Sequence, residues 1–361
     1  MTDAVPGEAD ALDDIVLPRA QTELIGQREA EEDLLQSYKS GRIHHGWILS
    51  GPRGIGKATL AFRFARFVLV HPDPKAPEVQ NAHDLSIPED HPVARKVAVC
   101  SHADLYHLRR PWNPKNKRFM TELPVDEVRR ATSLFETTAG EGGWRICIVD
   151  AADDMNQNAA NALLKILEEP PPRALFLVLS HMPGRLLPTI RSRCRKLVLR
   201  SLGEADIREQ AAATPVGAAA KGDAVSRAAA LARGSLRRAL VLLASNGVEI
   251  WSGLEAVTRH FPALDRRAVH ALADRVSERG AEESYALFVD FVRDWLSEQV
   301  RNGAASGVAA GGLYGWSEAW EKVERVARET DVFNLDRKQA VFDILHTLAE
   351  AARNSLSPQQ T

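Results

Sequence analysis

Cysteine is scarce in this chain: Cys100, Cys147 and Cys194 are the only three among 361 residues. They are far apart and odd in number, which argues against a disulfide framework and fits a reducing compartment. No stretch approaches the roughly 18 consecutive apolar residues of a membrane span, so no membrane role is expected. An excess of one charge sign is also missing. The formal net charge is −2, so no global basic field announces nucleic acid, and any such contact has to be local. The opening stretch Met1 to Asp14 is acidic and lacks the apolar core of a signal peptide, so a cytoplasmic protein is expected.

Two further absences concern chemistry. Trp47 to Ser50 reads as a short buried strand leading into Gly51-Pro52-Arg53-Gly54-Ile55-Gly56-Lys57-Ala58, and Ala58 to Leu69 reads as a helix. This is the layout of a P-loop, in which backbone N–H groups at a helix N-terminus cradle phosphate and a lysine meets the outer phosphates. Arg145 to Asp150 reads as a second buried strand ending in an acid, the layout of a Walker B site. Yet position 58, where a hydroxyl normally binds magnesium, is Ala. Position 151, where a hydrolysing enzyme places a water-activating glutamate, is also Ala. Two losses on one reaction point to a nucleotide-binding fold that does not hydrolyse.

At this length two or three domains are expected. Residues 1–20 are polar and punctuated by Pro and Gly, and read as a mobile tail. Residues 21–201 alternate helix and strand: helix 27–40, strand 47–50, helix 58–69, strand 146–149, helix 157–167, and strands 175–179 and 196–199. Such alternation implies an α/β fold with a mainly parallel sheet and ligands at the carboxyl ends of its strands. An insertion spans about 70–120. Residues 202–247 read as a small helical lid, 248–354 as an all-helical domain, and 355–361 as a short tail. In the helical domain Tyr285, Phe288, Val292, Trp295 and Leu296 share one face, as do Val341, Ile344, Leu345 and Leu348, so both stripes are expected to pack a bundle.

The most specific segment is Asn158-Ala159-Ala160-Asn161-Ala162-Leu163-Leu164-Lys165-Ile166-Leu167-Glu168-Glu169-Pro170-Pro171, an amphipathic helix stopped by a proline pair. It resembles the segment after Walker B in clamp-loader subunits of the AAA+ group. Ile190-Arg191-Ser192-Arg193-Cys194 resembles the Ser-Arg-Cys motif of that family. Ile25-Gly26-Gln27 and His44-His45-Gly46-Trp47 resemble its opening segment, and Gly234 to Leu240 its sensor 2 helix. Asn334-Leu335-Asp336 resembles the start of a collar helix. The resemblance spans about residues 22–350. Asp150-Ala151-Ala152 departs from the Asp-Glu of the gamma/tau motor subunits and is similar to the delta-prime type.

The resemblance implies an AAA+ P-loop core, a helical lid and a helical collar. It also implies a non-hydrolysing subunit of a DNA-directed DNA polymerase holoenzyme, a nucleotidyltransferase. Its implied partners are gamma/tau motor subunits, a delta subunit, the sliding clamp and primed DNA, with no small-molecule substrate. ATP or ADP would meet Gly51, Gly54, Gly56, Lys57, Ala58, Thr59, Asp150 and Arg237, with magnesium weak or absent and no hydrolysis. Arg193 would be an arginine finger offered to ATP on a neighbouring subunit, a task suited to a permanently charged planar fork.

Relatives commonly carry a four-cysteine zinc module after the P-loop helix. Here residues 70–120 hold only Cys100, together with His71, His83, His91, His102 and His107, and no zinc is expected. The insertion reads as partly loop-like, with a solvated hairpin tip at Arg109 to Arg118. Ser180 and His181 occupy the sensor 1 place. Two rival readings are an autonomous DNA-stimulated ATPase of gamma/tau type, opposed by Ala58 and Ala151, and an AAA+ adaptor outside replication.

Overall fold

The computed structural model describes residues 8, 11–12, 15–115, 117–136, 143–278, 282–306 and 310–356. Much of the expected N-terminal tail, the hairpin residue Asn116 and residues 357–361 therefore lie outside the described residues. The chain divides into two compact units. One comprises residues 1–218 and 232–238, the other 219–231 and 239–361, so the stretch 202–247 is shared between them.

In the first unit the order is α1 (Arg28–Lys39), β1 (Gly46–Ser50), α2 (Lys57–Val70), α3 (Pro77–Asn81), α4 (Pro92–Ala98), β2 (Leu105–Arg109), β3 (Trp112–Asn113), β4 (Arg118–Phe119), α5 (Val125–Glu136), β5 (Arg145–Asp150), α6 (Gln157–Glu168), β6 (Ala174–Ser180), α7 (Pro188–Ser192) and β7 (Arg195–Val198). Helices α8 (Glu204–Ala212) and α9 (Pro215–Ala219) follow. Five strands form one sheet in the order β2-β5-β6-β1-β7, all parallel. The central strands β1 and β6 are buried along their whole length, as both faces of a parallel sheet must be covered. One face packs Leu49, Ile146, Leu177 and Leu197 with Phe64 and Val68 of α2. The other packs Ile48, Cys147 and Phe176 with Leu163 and Leu167 of α6 and Ile190 of α7.

Four strands of this sheet, β1, β5, β6 and β7, lie where the apolar runs predict them, and the fifth, β2, lies where no strand is expected. Within the insertion expected to be partly loop-like, Leu105–Arg109 joins the sheet edge beside β5, with His107 level with Ile148 and Arg109 level with Asp150. Trp112 and Phe119 then close a two-stranded antiparallel hairpin. Near the N-terminus, Arg19 donates Nε to the Ala98 carbonyl at 2.8 Å and pairs with Glu8.

Helix α6 begins where the Asn156 side chain accepts from Ala159 N at 2.9 Å, and Pro170-Pro171 follow its end. The second unit is helical: α10 (Ala224–Leu231), most of α11 (Leu236–Ala244), α12 (Gly247–Thr258), α13 (Arg266–Val276), α14 (Glu282–Ala305), α15 (Ala310–Phe333) and α16 (Arg337–Leu356). Phe288, Val292, Leu296, Val341, Ile344, Leu345 and Leu348 are buried there, as the stripes require. No single helix among the described residues is long and apolar enough to cross a membrane.

Candidate functional site

The P-loop runs from the carboxyl end of β1 to the first turn of α2. Gly51, Gly54 and Gly56 all adopt positive φ, at 147°, 77° and 101°. At two of them there is also no room for a side chain. A Cβ on Gly51 would lie 2.7 Å from the Leu199 carbonyl oxygen, and one on Gly54 would lie 2.3 Å from Ser235 Oγ and 2.6 Å from Arg237 Cβ. The loop is thus pressed between the end of β7 and the start of α11, where Arg237 N approaches the Gly54 carbonyl at 3.4 Å. Residues 232–238, which include the first part of the Gly234–Leu240 segment, belong to the same compact unit as the P-loop, so Arg237 stands beside the chain's own cradle.

Lys57 is 4% exposed, and its ammonium donates to the carbonyls of Gly51 at 2.7 Å and Pro52 at 2.5 Å. Burial pulls its pKa down to about 8, against the partial compensation of Asp150 and Asp153. Ala58 and Thr59 follow in the first turn, half-buried. Gln27 fixes the cradle from below, with its amide donating to the carbonyls of Ile55 at 3.0 Å and Arg200 at 2.8 Å and accepting from Arg200 N at 3.2 Å. That clip gives the Ile25-Gly26-Gln27 motif a physical task. A glycine-lined loop with a buried lysine at a helix N-terminus fits a phosphate group. Ala58 brings no hydroxyl for a metal.

Strand β6 lies between β1 and β5, which places Ser180 between the P-loop strand and Asp150. Asp153 secures this junction by accepting from Ser180 Oγ at 2.8 Å, His181 N at 2.5 Å and Met182 N at 3.1 Å. Asp150 itself faces His107 of the neighbouring strand, Nε2 to Oδ2 3.5 Å, and the imidazole is 5% exposed. Burial alone would lower the His107 pKa, but the nearby Asp150 carboxyl and Cys100 thiol raise it. The Asp150 carboxyl is correspondingly held below its ordinary value, since the His107 contact outweighs its burial. In the sequence His107 stands only among the five histidines of the insertion, with no tie to Asp150, and Asp153 carries no signal at all.

Arg193 lies elsewhere. Residue 195 pairs with Trp47 at the amino end of β1, and a Cβ on Gly46 would lie 3.5 Å from the Arg193 carbonyl oxygen and 2.8 Å from Cys194 Sγ. Gly51 and the cradle begin at the other end of that strand, about 13 Å away at roughly 3.3 Å per residue. The Arg193 guanidinium is 37% exposed and is held by the Thr189 carbonyl at 3.1 Å and Glu168 Oε1 at 2.9 Å. Cys194 is packed against Gly46, and burial pushes its thiol up to about 12. The structure therefore brings Gly51, Gly54, Gly56, Lys57, Ala58, Thr59 and Arg237 together, sets Asp150 two strands away from β1 at the same sheet end, and puts Arg193 at the opposite end.

A parallel sheet in this order, with a glycine cradle and an acid at its strand ends, defines a P-loop protein of the AAA+ class. The family described as "DNA polymerase III, delta subunit" matches residues 26–203. A DNA polymerase III subunit delta' from Pseudomonas aeruginosa is 36% identical over 165 residues, covering 45% of this chain and 46% of that protein. The subunit delta' of Escherichia coli is 34% identical over 170 residues, 45% of each chain. A gamma subunit-related protein of Thermotoga maritima, known from its crystal structure, aligns over 90% of this chain and 100% of its own with 18% identity and a TM-score of 0.42. Residues 26–203 are thus similar to DNA polymerase III subunits of the delta and delta-prime type. The chain spans just under half the length of these curated delta-prime relatives.

Proposed function

We propose that the protein is a delta-prime-type subunit of a bacterial clamp loader, a non-hydrolysing stator that presents Arg193 to ATP bound by a neighbouring motor subunit. In this reading it assembles in the cytoplasm with gamma/tau motor subunits and a delta subunit, and the assembly loads the sliding clamp on primed DNA. The observation that carries the reading is the position of Arg193. It sits at the amino end of β1, whereas the chain's own cradle sits at the carboxyl end. A guanidinium on that edge serves phosphate on another molecule, and an arginine supplied in trans is worth on the order of 10³ to 10⁵ in rate in phosphoryl transfer.

The chain's own site supports binding without turnover. The cradle and Lys57 would hold the phosphates of ATP or ADP, with Arg237 beside them. Ala58 offers no metal ligand, His107 stands 3.5 Å from one oxygen of Asp150, and Ala151 carries no base to orient water. Bound nucleotide would supply only its phosphate charge here. The helical stretches 202–247 and 248–354 are assigned as lid and collar.

A gamma/tau-type ATPase is the second reading, favoured only by the intact cradle and the nearby Arg237. A phosphate-release assay on the isolated chain separates the two. The stator reading expects no steady ATP hydrolysis, and hydrolysis abolished by Lys57→Ala would overturn it. Size-exclusion chromatography with gamma/tau and delta subunits is expected to give one assembly, which removal of residues 248–354 abolishes.

A further inference from the structure

We propose that Glu168 is the positioning residue for Arg193, fixing one side of its guanidinium so that the rest of the fork is presented to a phosphate on the adjacent subunit. The inference rests on the reading of Arg193 given above and adds to it the residue that sets the geometry.

Three observations carry it. First, Arg193 is held from two directions: Nη1 donates to the Thr189 carbonyl at 3.1 Å, with Ser192 Oγ at 3.5 Å, and Nη2 meets Glu168 Oε1 at 2.9 Å. Guanidinium has five N–H donors in a rigid plane, so anchoring part of Nη1 and Nη2 leaves Nε and the remaining hydrogens for an outside acceptor.

Second, both anchors are built on fixed backbone. The end of α6 is tied to the start of β1, with His45 Nε2 3.1 Å from the Leu167 carbonyl. Gly46 accommodates Leu167 Cδ2 and Cys194 Sγ where any Cβ would stand 3.4 Å and 2.8 Å from them. The residue before Glu168 and the residue after Arg193 thus share one contact, which sets the spacing of the two side chains between them.

Third, the pair has little to offer stability. Glu168 and Arg193 side chains are 44% and 37% exposed, and ion pairs at that exposure contribute at most about 1 kcal/mol. Glu168 is also the last residue of α6, where the negative end of the helix dipole disfavours a carboxylate. A carboxylate at a position that works against its own helix, matched to the one arginine on this edge that the family motif singles out, is suited to orienting that arginine.

The test is a double-mutant cycle in the reconstituted assembly, reading the Arg193-dependent part of its ATPase, defined as the wild-type rate minus the Arg193→Ala rate. Glu168→Ala is expected to lower that part about two- to fivefold in kcat with KM unchanged, the range set by an exposed ion pair. Glu168→Gln, which keeps a hydrogen-bond acceptor, is expected to recover a portion of the loss. Glu168→Ala in an Arg193→Ala background is expected to cost nothing further. Where Glu168→Ala fails to assemble, the isosteric Glu168→Gln supplies the comparison, with a smaller loss that again vanishes in the Arg193→Ala background. Equal losses from Glu168 substitution with and without Arg193, or no loss at all, would overturn the proposal. No change on Arg193→Ala itself would instead overturn the reading of Arg193 as a finger.

Discussion

Lys57 donates its ammonium to the carbonyl oxygen of Gly51, 2.7 Å away, so the lysine of the cradle is bound by the first residue of the same loop. Incoming phosphate competes with that carbonyl, and with Pro52, for a charge that burial already disfavours. The Lys57 pKa lies at about 8 in the folded chain against 10.5 ordinarily. Between those values the unfolded chain holds the proton that the folded chain has lost, so this group's contribution to stability improves as pH rises through the window. Phosphate binding needs the charged form and runs the other way. Titration calorimetry with ADP is expected to show affinity falling above about pH 8, by up to about tenfold per pH unit. Lys57→Ala is expected to bind weakly with no such dependence.

Gly54 carries the contact between the P-loop and the start of α11. Gly54→Ala places a methyl at φ 77° and 2.6 Å from Arg237 Cβ. The backbone strain and the overlap together are expected to cost about 2 kcal/mol or more. Thermal unfolding should show a Tm lower by about 4–8 °C, together with weaker nucleotide binding. Gly184→Ala is the control, because nothing lies within 4 Å of its Cβ position, and its Tm is expected to be unchanged.

The three cysteines differ in chemistry. Burial pushes the thiols of Cys147 and Cys194 up to about 12. Cys100 is exposed, and the neighbouring His107 imidazole together with the charges of Arg19 and Arg109 lowers its pKa. Iodoacetamide at pH 7.5 is therefore expected to label one site in the native chain and three in denaturant, with mass mapping on Cys100. Cys100→Ser is expected to abolish native labelling.

The strands β1, β5 and β6 were legible because a parallel strand buried on both faces is a continuous apolar run, and Trp47–Leu49, Ile146–Val149 and Leu175–Leu179 are such runs. Strand β2 escaped because an edge strand tolerates Tyr106, His107 and Arg109, and its charged residues serve contacts with Asp150 and Glu8 that only the fold brings within reach. The cradle was readable for the opposite reason. Its glycines, lysine and helix are contiguous, so spacing alone defines the site. Gln27 with Arg200, Asp153 with His181 and Glu168 with Arg193 join residues 173, 28 and 25 positions apart. No local pattern encodes them.

On the proposed reading Arg193 serves another subunit's nucleotide and not its own, and Arg193→Ala separates the two roles in one paired measurement. Nucleotide affinity of the isolated chain is measured beside the DNA- and clamp-stimulated ATPase and loading activity of the reconstituted assembly. Unchanged affinity in the isolated chain, normal assembly, a partial loss of ATPase and a larger loss of loading are expected. Arg193→Lys is expected to restore little, because a point ammonium does not reproduce the planar fork. Normal ATPase and loading by the assembled Arg193→Ala complex, or a loss of the isolated chain's own nucleotide affinity, would contradict it.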